Sequence, residues 1–184
     1  MAKANVGGTC GTSRLINPAA AQATAQAFGL FSHNTTKAHM YFARIMEHVI
    51  TAAEQLEGLE VPVFAVVAVE DNVVAEADNE VEGTRVPWMH AEFLALQRAI
   101  EALGIRYLSK ASIYVNLEPC AFCAAAMEKA RIGEIFFGAY DPKCGAIEHN
   151  ARIFDHSLIK PTIIGGIQEG RCSQLISDFF KKLR

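Results

Sequence analysis

The feature that most constrains the fold is the run VPVFAVVAVE at residues 61–70, which is almost entirely apolar and rich in β-branched residues. A continuous run of this kind is typical of a strand buried in a sheet. The segment DNVVAEADN at 71–79 follows through an Asp-Asn turn and predicts a hairpin partner for that strand. A buried sheet needs further layers of secondary structure to cover it.

Helical and strand patterns alternate along the rest of the chain. Residues 37–58 carry apolar residues at helical spacing and end at Gly58, and residues 90–104 form a second helical pattern closed by Gly104. The remaining predicted elements are strands at 111–117, 134–140 and 161–167, helices at 119–133 and 171–184, and a turn-rich loop at 141–156. This alternation predicts an α/β fold, a three-layer α/β/α sandwich.

The bulk composition narrows the functional classes. At 184 residues the chain is expected to form one main domain, and no apolar run approaches the ~18 to 20 residues that span a bilayer. The net charge of −3 argues against a generally basic nucleic-acid-binding protein, although it is compatible with a local basic face. Five cysteines without a regular framework favour a reduced, cytoplasmic setting over a disulfide-stapled secreted one.

The first residues of the chain differ from the rest. They include Lys3 and Arg14 but no acidic residue, because the first acid in the chain is Glu47. We therefore expect residues 1–35 to be an N-terminal extension of unknown role and residues 36–184 to form the functional domain.

Cys120 and Cys123 lie three residues apart where a helical pattern opens after Pro119. Residues at i and i+3 share a helix face, so both sulfurs can reach one point. In the first turn of a helix, free N–H groups and the helix dipole favour thiolate. Two thiolates supply half of a tetrahedral zinc site, but a thioredoxin-like redox pair or core packing also explains an isolated C-x-x-C.

His90 and Glu92 lie at the start of the upstream helical pattern at residues 90–104. Their presence favours a metal site over a redox pair or core packing. If the two helix starts converge, His90, Cys120 and Cys123 supply three ligands and leave a fourth position open, as in catalytic zinc sites. Glu92 is then free to carry protons beside a bound water. Alone, the histidine is more often solvated and the glutamate usually complements the helix dipole. Together, H-A-E and P-C-A-F-C match the known H-x-E…P-C-x-x-C signature of zinc nucleobase deaminases.

From about Met40 to Arg184 the chain resembles the bacterial tRNA adenosine deaminases of the cytidine-deaminase-like superfamily. The resemblance rests on VPVFAV, Asn79, HAEFLAL, LEPCAFCAAAMEKARIG, FGAYDPKCGAIEH and DFFKKLR. It implies a cytidine-deaminase-like fold with a central mixed five-stranded sheet and one Zn²⁺ per chain. It also implies hydrolytic deamination of adenosine to inosine at the wobble position of the tRNA anticodon, by a cytoplasmic homodimer that binds the anticodon arm.

The resemblance implies substrate contacts as well. Asn79 matches the asparagine with which similar enzymes grip the purine edge, the N–H of Ala91 is expected to bond the base, and Asp141 matches a position that contacts a ribose. From the residues alone, Asn79 is equally a turn residue after a strand, and Asp141 opens an Asp-Pro turn. The basic Lys181 and Lys182 are expected to contact RNA phosphates or to form the solvated end of an amphipathic helix.

Four positions depart from the family pattern. Val86, Trp88 and Met89 stand where the family has smaller or acidic residues before His-Ala-Glu, and Phe64 stands where a glycine is common. We expect Trp88 and Met89 to lie beside the pocket, where they would stack on a base, narrow the pocket or fill core space. The alternative function is therefore a free nucleobase or nucleotide deaminase, of guanine or cytosine type, with the same zinc chemistry. A non-enzymatic zinc-stabilised module is a further alternative, but it would not need Glu92.

Overall fold

A computed structural model of the chain describes residues 35–183. Apart from Thr35, the N-terminal extension expected at residues 1–35 lies outside the described residues, and so do Cys10 and Arg184. No helix in the described part of the chain combines the length and the apolar character that crossing a membrane requires.

The elements alternate between helices and strands, as the sequence predicts. In chain order they are helix α1 (Thr35–Glu54), strand β1 (Phe64–Val69), strand β2 (Asn72–Asp78), helix α2 (Val81–Thr84), helix α3 (Ala91–Leu103), strand β3 (Ala111–Leu117), helix α4 (Ala121–Ala130), strand β4 (Glu134–Ala139), a 3₁₀ turn (Ile153–Asp155), strand β5 (Thr162–Ile164) and helix α5 (Glu169–Lys182). The short helix α2 is the one α-helix among them that the sequence did not predict.

The five strands form one mixed sheet in the order β2-β1-β3-β4-β5. β1 pairs antiparallel with β2, as the predicted hairpin requires, and antiparallel with β3. β3, β4 and β5 run parallel to one another, so a crossover helix is needed between β3 and β4. Helix α4 is that crossover, and its N-terminus therefore lies at the carboxyl end of β3. The predicted central mixed five-stranded sheet is confirmed.

Alternate residues of the central strands pack into two separate cores. On one face, Val67 of β1 and Ile113 of β3 belong to the core formed with α3 and α4. On the other face, Val66 of β1 and Tyr114 of β3 pack with α1 and with Cys172 of α5. Because side chains alternate across a strand, an apolar run without polar interruptions buries both faces. This arrangement confirms the predicted three-layer sandwich.

The helix ends agree only partly with the sequence. α3 ends at Gly104, whose φ of +63° is the left-handed conformation that glycine adopts without strain. α1 ends at Glu54 rather than at Gly58, so that prediction was four residues too long. Pro119 lies outside α4, because Cys120 has an extended conformation and occupies the N-cap.

Candidate metal centre and its cavity

Two helix starts converge to form the centre. His90 is the N-cap residue of α3 and Cys120 is the N-cap residue of α4, and both have extended backbones that turn their side chains away from the helical repeat. Cys123 lies one turn into α4. The Nδ1 atom of His90 is 3.5 Å from Sγ of Cys120 and 3.6 Å from Sγ of Cys123. All three donor atoms lie within 4.8 Å of one another and could hold a metal ion.

The two thiols and the imidazole change one another's proton affinity. The hydrogen bond with Cys123 is the largest influence on Cys120 and lowers its pKa to about 4, and His90 acts in the same direction. The same hydrogen bond and burial raise the pKa of Cys123. Hydrogen bonding to Cys120 raises the pKa of His90, although burial opposes it. These directions favour the thiolate form of Cys120 and the protonated form of Cys123, whose proton a dication would displace.

Glu92 is a buried carboxylate beside this group. It lies in the first turn of α3 and is only 5% exposed. Burial is the main reason that the pKa of Glu92 is raised to about 6, and the negative charge of Cys120 adds to the effect. A carboxylate with such a pKa can both take up and release a proton near neutral pH.

One cavity of about 240 Å³ reaches the centre at His90, Glu92 and Cys120, whereas the buried Cys123 does not line it. Its lining residues are Glu60, Val61, Val63, Asn79, Val81, Glu82, His90, Glu92, Leu117, Glu118, Cys120, Asp141 and Cys144. The sequence-predicted residues Asn79 and Asp141 thus face the same space as His90 and Glu92. Trp88 and Met89, which were expected beside the pocket, are not among the residues that line this cavity. Trp88 is 51% exposed, and Met89 packs on the core around α3.

Asn79 is held in place by neighbours on both its main chain and its side chain. It is 7% exposed, and its backbone N–H donates to the carbonyl of Val63 over 3.2 Å. Its Nδ2 donates to Oε2 of Glu60 over 3.1 Å. The second oxygen of Glu60 accepts from the backbone N–H of Gly83 over 2.7 Å. Asn79 is therefore both a residue that follows a strand and an oriented polar group in the cavity wall.

A second buried carboxylate, Glu118, organises the part of the cavity wall that includes Asp141. Its side chain has no solvent-exposed surface and accepts hydrogen bonds from the backbone of Asp141, from the backbone of residues 147–149 and from Nδ1 of His149. Burial acts to raise the pKa of Glu118, but these donors outweigh it and lower the pKa. Asp141 Oδ1 accepts from the backbone N–H groups of Lys143 and Cys144, which is the turn-forming role that the sequence offered as its alternative.

Comparisons with known proteins show that this chain is similar to deaminases. The sequence profile of the MafB19-like deaminase family matches residues 36–184. The tRNA-specific adenosine deaminase of Rickettsia bellii is 39% identical over 129 residues, which make up 68% of this chain and 89% of the relative. The chain belongs to the MafB19-like deaminase family. Its resemblance to the bacterial tRNA adenosine deaminases, inferred above from the motifs, is confirmed.

Further relatives of this deaminase support the same conclusion. The tRNA-specific adenosine deaminase of Bacillus subtilis is 34% identical over 142 residues, covering 76% of this chain and 88% of the relative. A solved structure from a study of A-to-I editing by tRNA:A34 deaminases matches with a TM-score of 0.69 and 35% identity, covering 72% of this chain and 99% of that chain. A guanine deaminase from Nitrosomonas europaea has a TM-score of 0.59 at 17% identity, which shows the shared fold alone.

Ala91 and Phe64 are two further positions that the sequence singled out. Ala91 is fully buried at the first position of α3, where a backbone N–H has no partner within its own helix. Phe64 packs with the core on the α1 side of the sheet, and its ring lies edge-on to His48 with centroids 5.9 Å apart. Since the metal centre lies with α3 and α4 on the other side, this departure from the family pattern does not reshape the cavity.

Sequence reasoning missed Glu60 and Glu118. A signal for Glu118 does exist, because a charged residue that ends an apolar strand directly before Pro-Cys is out of place unless it is hydrogen-bonded. Glu60 carries no such signal, since it lies in the irregular loop between α1 and β1. Its contact with Asn79 becomes visible only when the β1–β2 hairpin is formed.

Proposed function

We propose that this protein is a zinc-dependent hydrolase that converts adenosine to inosine at the wobble position of a tRNA anticodon. The observation that carries the proposal is the convergence of His90, Cys120 and Cys123 beside the buried Glu92. The tRNA-specific adenosine deaminases, at 34–39% identity, support the choice of substrate. We further propose that residues 36–184 are the deaminase domain, which is the range that the family profile matches.

The donor set fits a zinc ion. Typical Zn–S and Zn–N bond lengths, about 2.3 and 2.1 Å, place sulfur and nitrogen ligands about 3.6 Å apart around a tetrahedral centre. The observed separations between His90 Nδ1 and the two sulfurs are 3.5 and 3.6 Å. His90, Cys120 and Cys123 would therefore be the three protein ligands. When bound, zinc supplies a Lewis-acidic centre that lowers the pKa of a coordinated water from ~15.7 to about 7.

Glu92 carries the protons in the proposed reaction. It takes a proton from the attacking water while the water oxygen bonds to C6 of adenine, and it delivers that proton to ring N1. A second transfer through the same carboxylate moves the remaining proton of the added oxygen, now the C6 hydroxyl, to the amino group. The bond between C6 and that nitrogen then breaks, so adenosine and water become inosine and ammonia. Because Glu92 is buried, bulk water that would otherwise exchange these protons is excluded.

Asn79, Ala91 and Asp141 are proposed to bind the nucleoside. The Asn79 amide faces the cavity at a fixed orientation and would bond the purine edge, while the N–H of Ala91, which has no partner within its own helix, would bond the base near the reacting carbon. One carboxylate oxygen of Asp141 accepts two turn hydrogen bonds. The other oxygen carries the proposed ribose contact. In a folded anticodon loop, the target base must be splayed out to enter such a cavity.

We also propose a cytoplasmic homodimer. Phe122 of α4 is 46% exposed and contacts Phe93 of α3, with ring centroids 5.2 Å apart. An apolar surface so close to the metal ligands suits a second copy of the chain, which would then wall each cavity. Sedimentation at increasing protein concentration measures the oligomeric state, and a purely monomeric protein would contradict this part of the proposal.

A substrate panel tests the function. Purified protein is incubated separately with an anticodon stem-loop that carries a wobble adenosine, with free guanine and with free cytosine. We expect inosine in the RNA and no turnover of either base. Turnover of a free base alone would establish the alternative activity and refute the tRNA reading.

A further inference from the structure

We propose that Glu60 is a positioning residue that fixes which atoms of the Asn79 side-chain amide face the bound base. The inference rests on the proposed function for the identity of that base. The orientation of the amide is independent of that function, because it follows from contacts within the chain. Glu60 lies in the loop between α1 and β1, 19 residues before Asn79, and both residues line the same cavity as His90 and Cys120.

Glu60 is itself held by two donors on different elements. Its Oε2 accepts from Nδ2 of Asn79, and its Oε1 accepts from the backbone N–H of Gly83 in α2. The carboxylate therefore bridges the residue after β2 to the short helix α2, whose Val81 and Glu82 also line the cavity. Because both oxygens are engaged, the carboxylate cannot rotate without losing a hydrogen bond.

The chemistry of the two side chains decides the orientation. An asparagine amide presents a donor on one side and an acceptor on the other, and a half-turn about its last bond exchanges them. A carboxylate oxygen only accepts, so it pairs with Nδ2 and never with Oδ1. Glu60 thus excludes the flipped state and fixes both the second Nδ2 hydrogen and Oδ1 in space.

A fixed amide matters for a purine because the purine edge also has a fixed order of donors and acceptors. A flipped amide would place oxygen against a ring nitrogen, and the buried acceptors would repel each other rather than bond. Without Glu60, the Asn79 amide would lose the contact that excludes the flipped state. The substrate would then bind more weakly, while the metal ligands and Glu92 would be unaffected.

A double-mutant cycle on the full chain tests the inference. Glu60→Ala, Asn79→Ala and the double variant are assayed with the wobble-adenosine stem-loop, with Glu57→Ala as a control that removes an exposed carboxylate from the same loop. We expect Glu60→Ala to raise KM by about tenfold with little change in kcat. The double variant should have the same KM as Asn79→Ala alone. Losses that multiply in the double variant would overturn the inference, because Glu60 would then not act through Asn79.

A measurement without substrate separates this inference from the proposed function. The side-chain NH₂ signals of Asn79, assigned by their loss in Asn79→Ala, are followed by ¹⁵N NMR in the wild-type protein and in Glu60→Gln. The glutamine keeps the shape but offers one acceptor oxygen to two donors. We expect the Asn79 signals to shift and to exchange faster with solvent. Unchanged signals would overturn the role of Glu60, whereas a wild-type protein that forms no inosine in RNA would refute only the proposed function.

Discussion

At the residue scale, Glu92 is the group whose role can be isolated most cleanly. Glu92→Gln keeps the size of the buried side chain but cannot accept and return a proton. We expect kcat on the stem-loop to fall by roughly 10²–10⁴-fold, the usual contribution of a positioned acid–base group, with metal content unchanged. Glu101→Gln, on the exposed side of the same helix, is the matched control and should leave kcat unaltered. A normal rate in Glu92→Gln would assign the proton transfers elsewhere.

The ligand set is tested by comparing two cysteines of the same cavity. Cys120 belongs to the group that could hold a metal, whereas Cys144 lines the cavity outside that group. We expect Cys120→Ala to lose bound zinc, because removing one of three protein ligands leaves too few to retain the ion. Cys144→Ser should keep one zinc per chain. Elemental analysis of the two purified variants measures this, and full zinc occupancy in Cys120→Ala would refute the ligand assignment.

The sequence identified those site residues that lie within a few positions of one another along the chain. Cys120 and Cys123 are visible as a pair because one helical turn separates them, and His90 with Glu92 because they open a helix. His90 and Cys120 are 30 residues apart in the sequence. The family resemblance implies that the two motifs meet in space, but neither motif alone predicts it. The choice among base stacking, pocket narrowing and core filling for Trp88 and Met89 could not be made from the sequence, because sequence distance to His90 does not determine the side on which a side chain emerges.

At the scale of elements, the loop after β4 must approach Glu118 without a side chain at Gly145. A Cβ there would lie 2.5 Å from the Glu118 carboxylate and 2.6 Å from the carbonyl oxygen of Asp141. We expect Gly145→Ala to reduce the free energy of unfolding by about 1–3 kcal/mol, the usual effect of overpacking, and to lower activity because Gly145 also pairs with Cys120.

Gly170→Ala is the control for that substitution. Gly170 lies in α5 with no atom within 4 Å of the added Cβ, so alanine should be neutral or stabilise by up to about 1 kcal/mol. Urea unfolding curves measure both variants. Equal stabilities for the two would show that the approach of the loop to Glu118 is not a constraint.

Elements were predicted best where local chemistry marks both ends. α3 begins at the His90 cap and ends at Gly104, and both ends agree with the sequence. α2 was missed because four residues give too little periodicity to recognise a helix. The 3₁₀ turn at Ile153–Asp155 lies in a segment predicted as a loop, where tertiary packing of Phe154 rather than local preference decides the conformation.

At the scale of the whole molecule, an RNA substrate and a free base differ in their response to salt. The protein has a net charge of −3, so phosphate contacts must come from local basic groups such as Lys182. With about three such contacts, KM for the stem-loop should rise by about tenfold or more between about 50 and about 200 mM salt, because counterion release weakens. An RNA KM that does not change with salt would contradict binding through the phosphate backbone.

The central claim is that three side chains from two helix starts hold a zinc ion that this protein uses to deaminate adenosine in RNA. The most direct test measures inosine in the anticodon stem-loop with wild-type protein that is first stripped by a chelator and then reloaded with zinc. Stripped protein should form no inosine, and about one zinc per chain should restore the activity. Inosine formed at the full rate by protein with no detectable metal would contradict the account, as would a fully loaded protein that forms none.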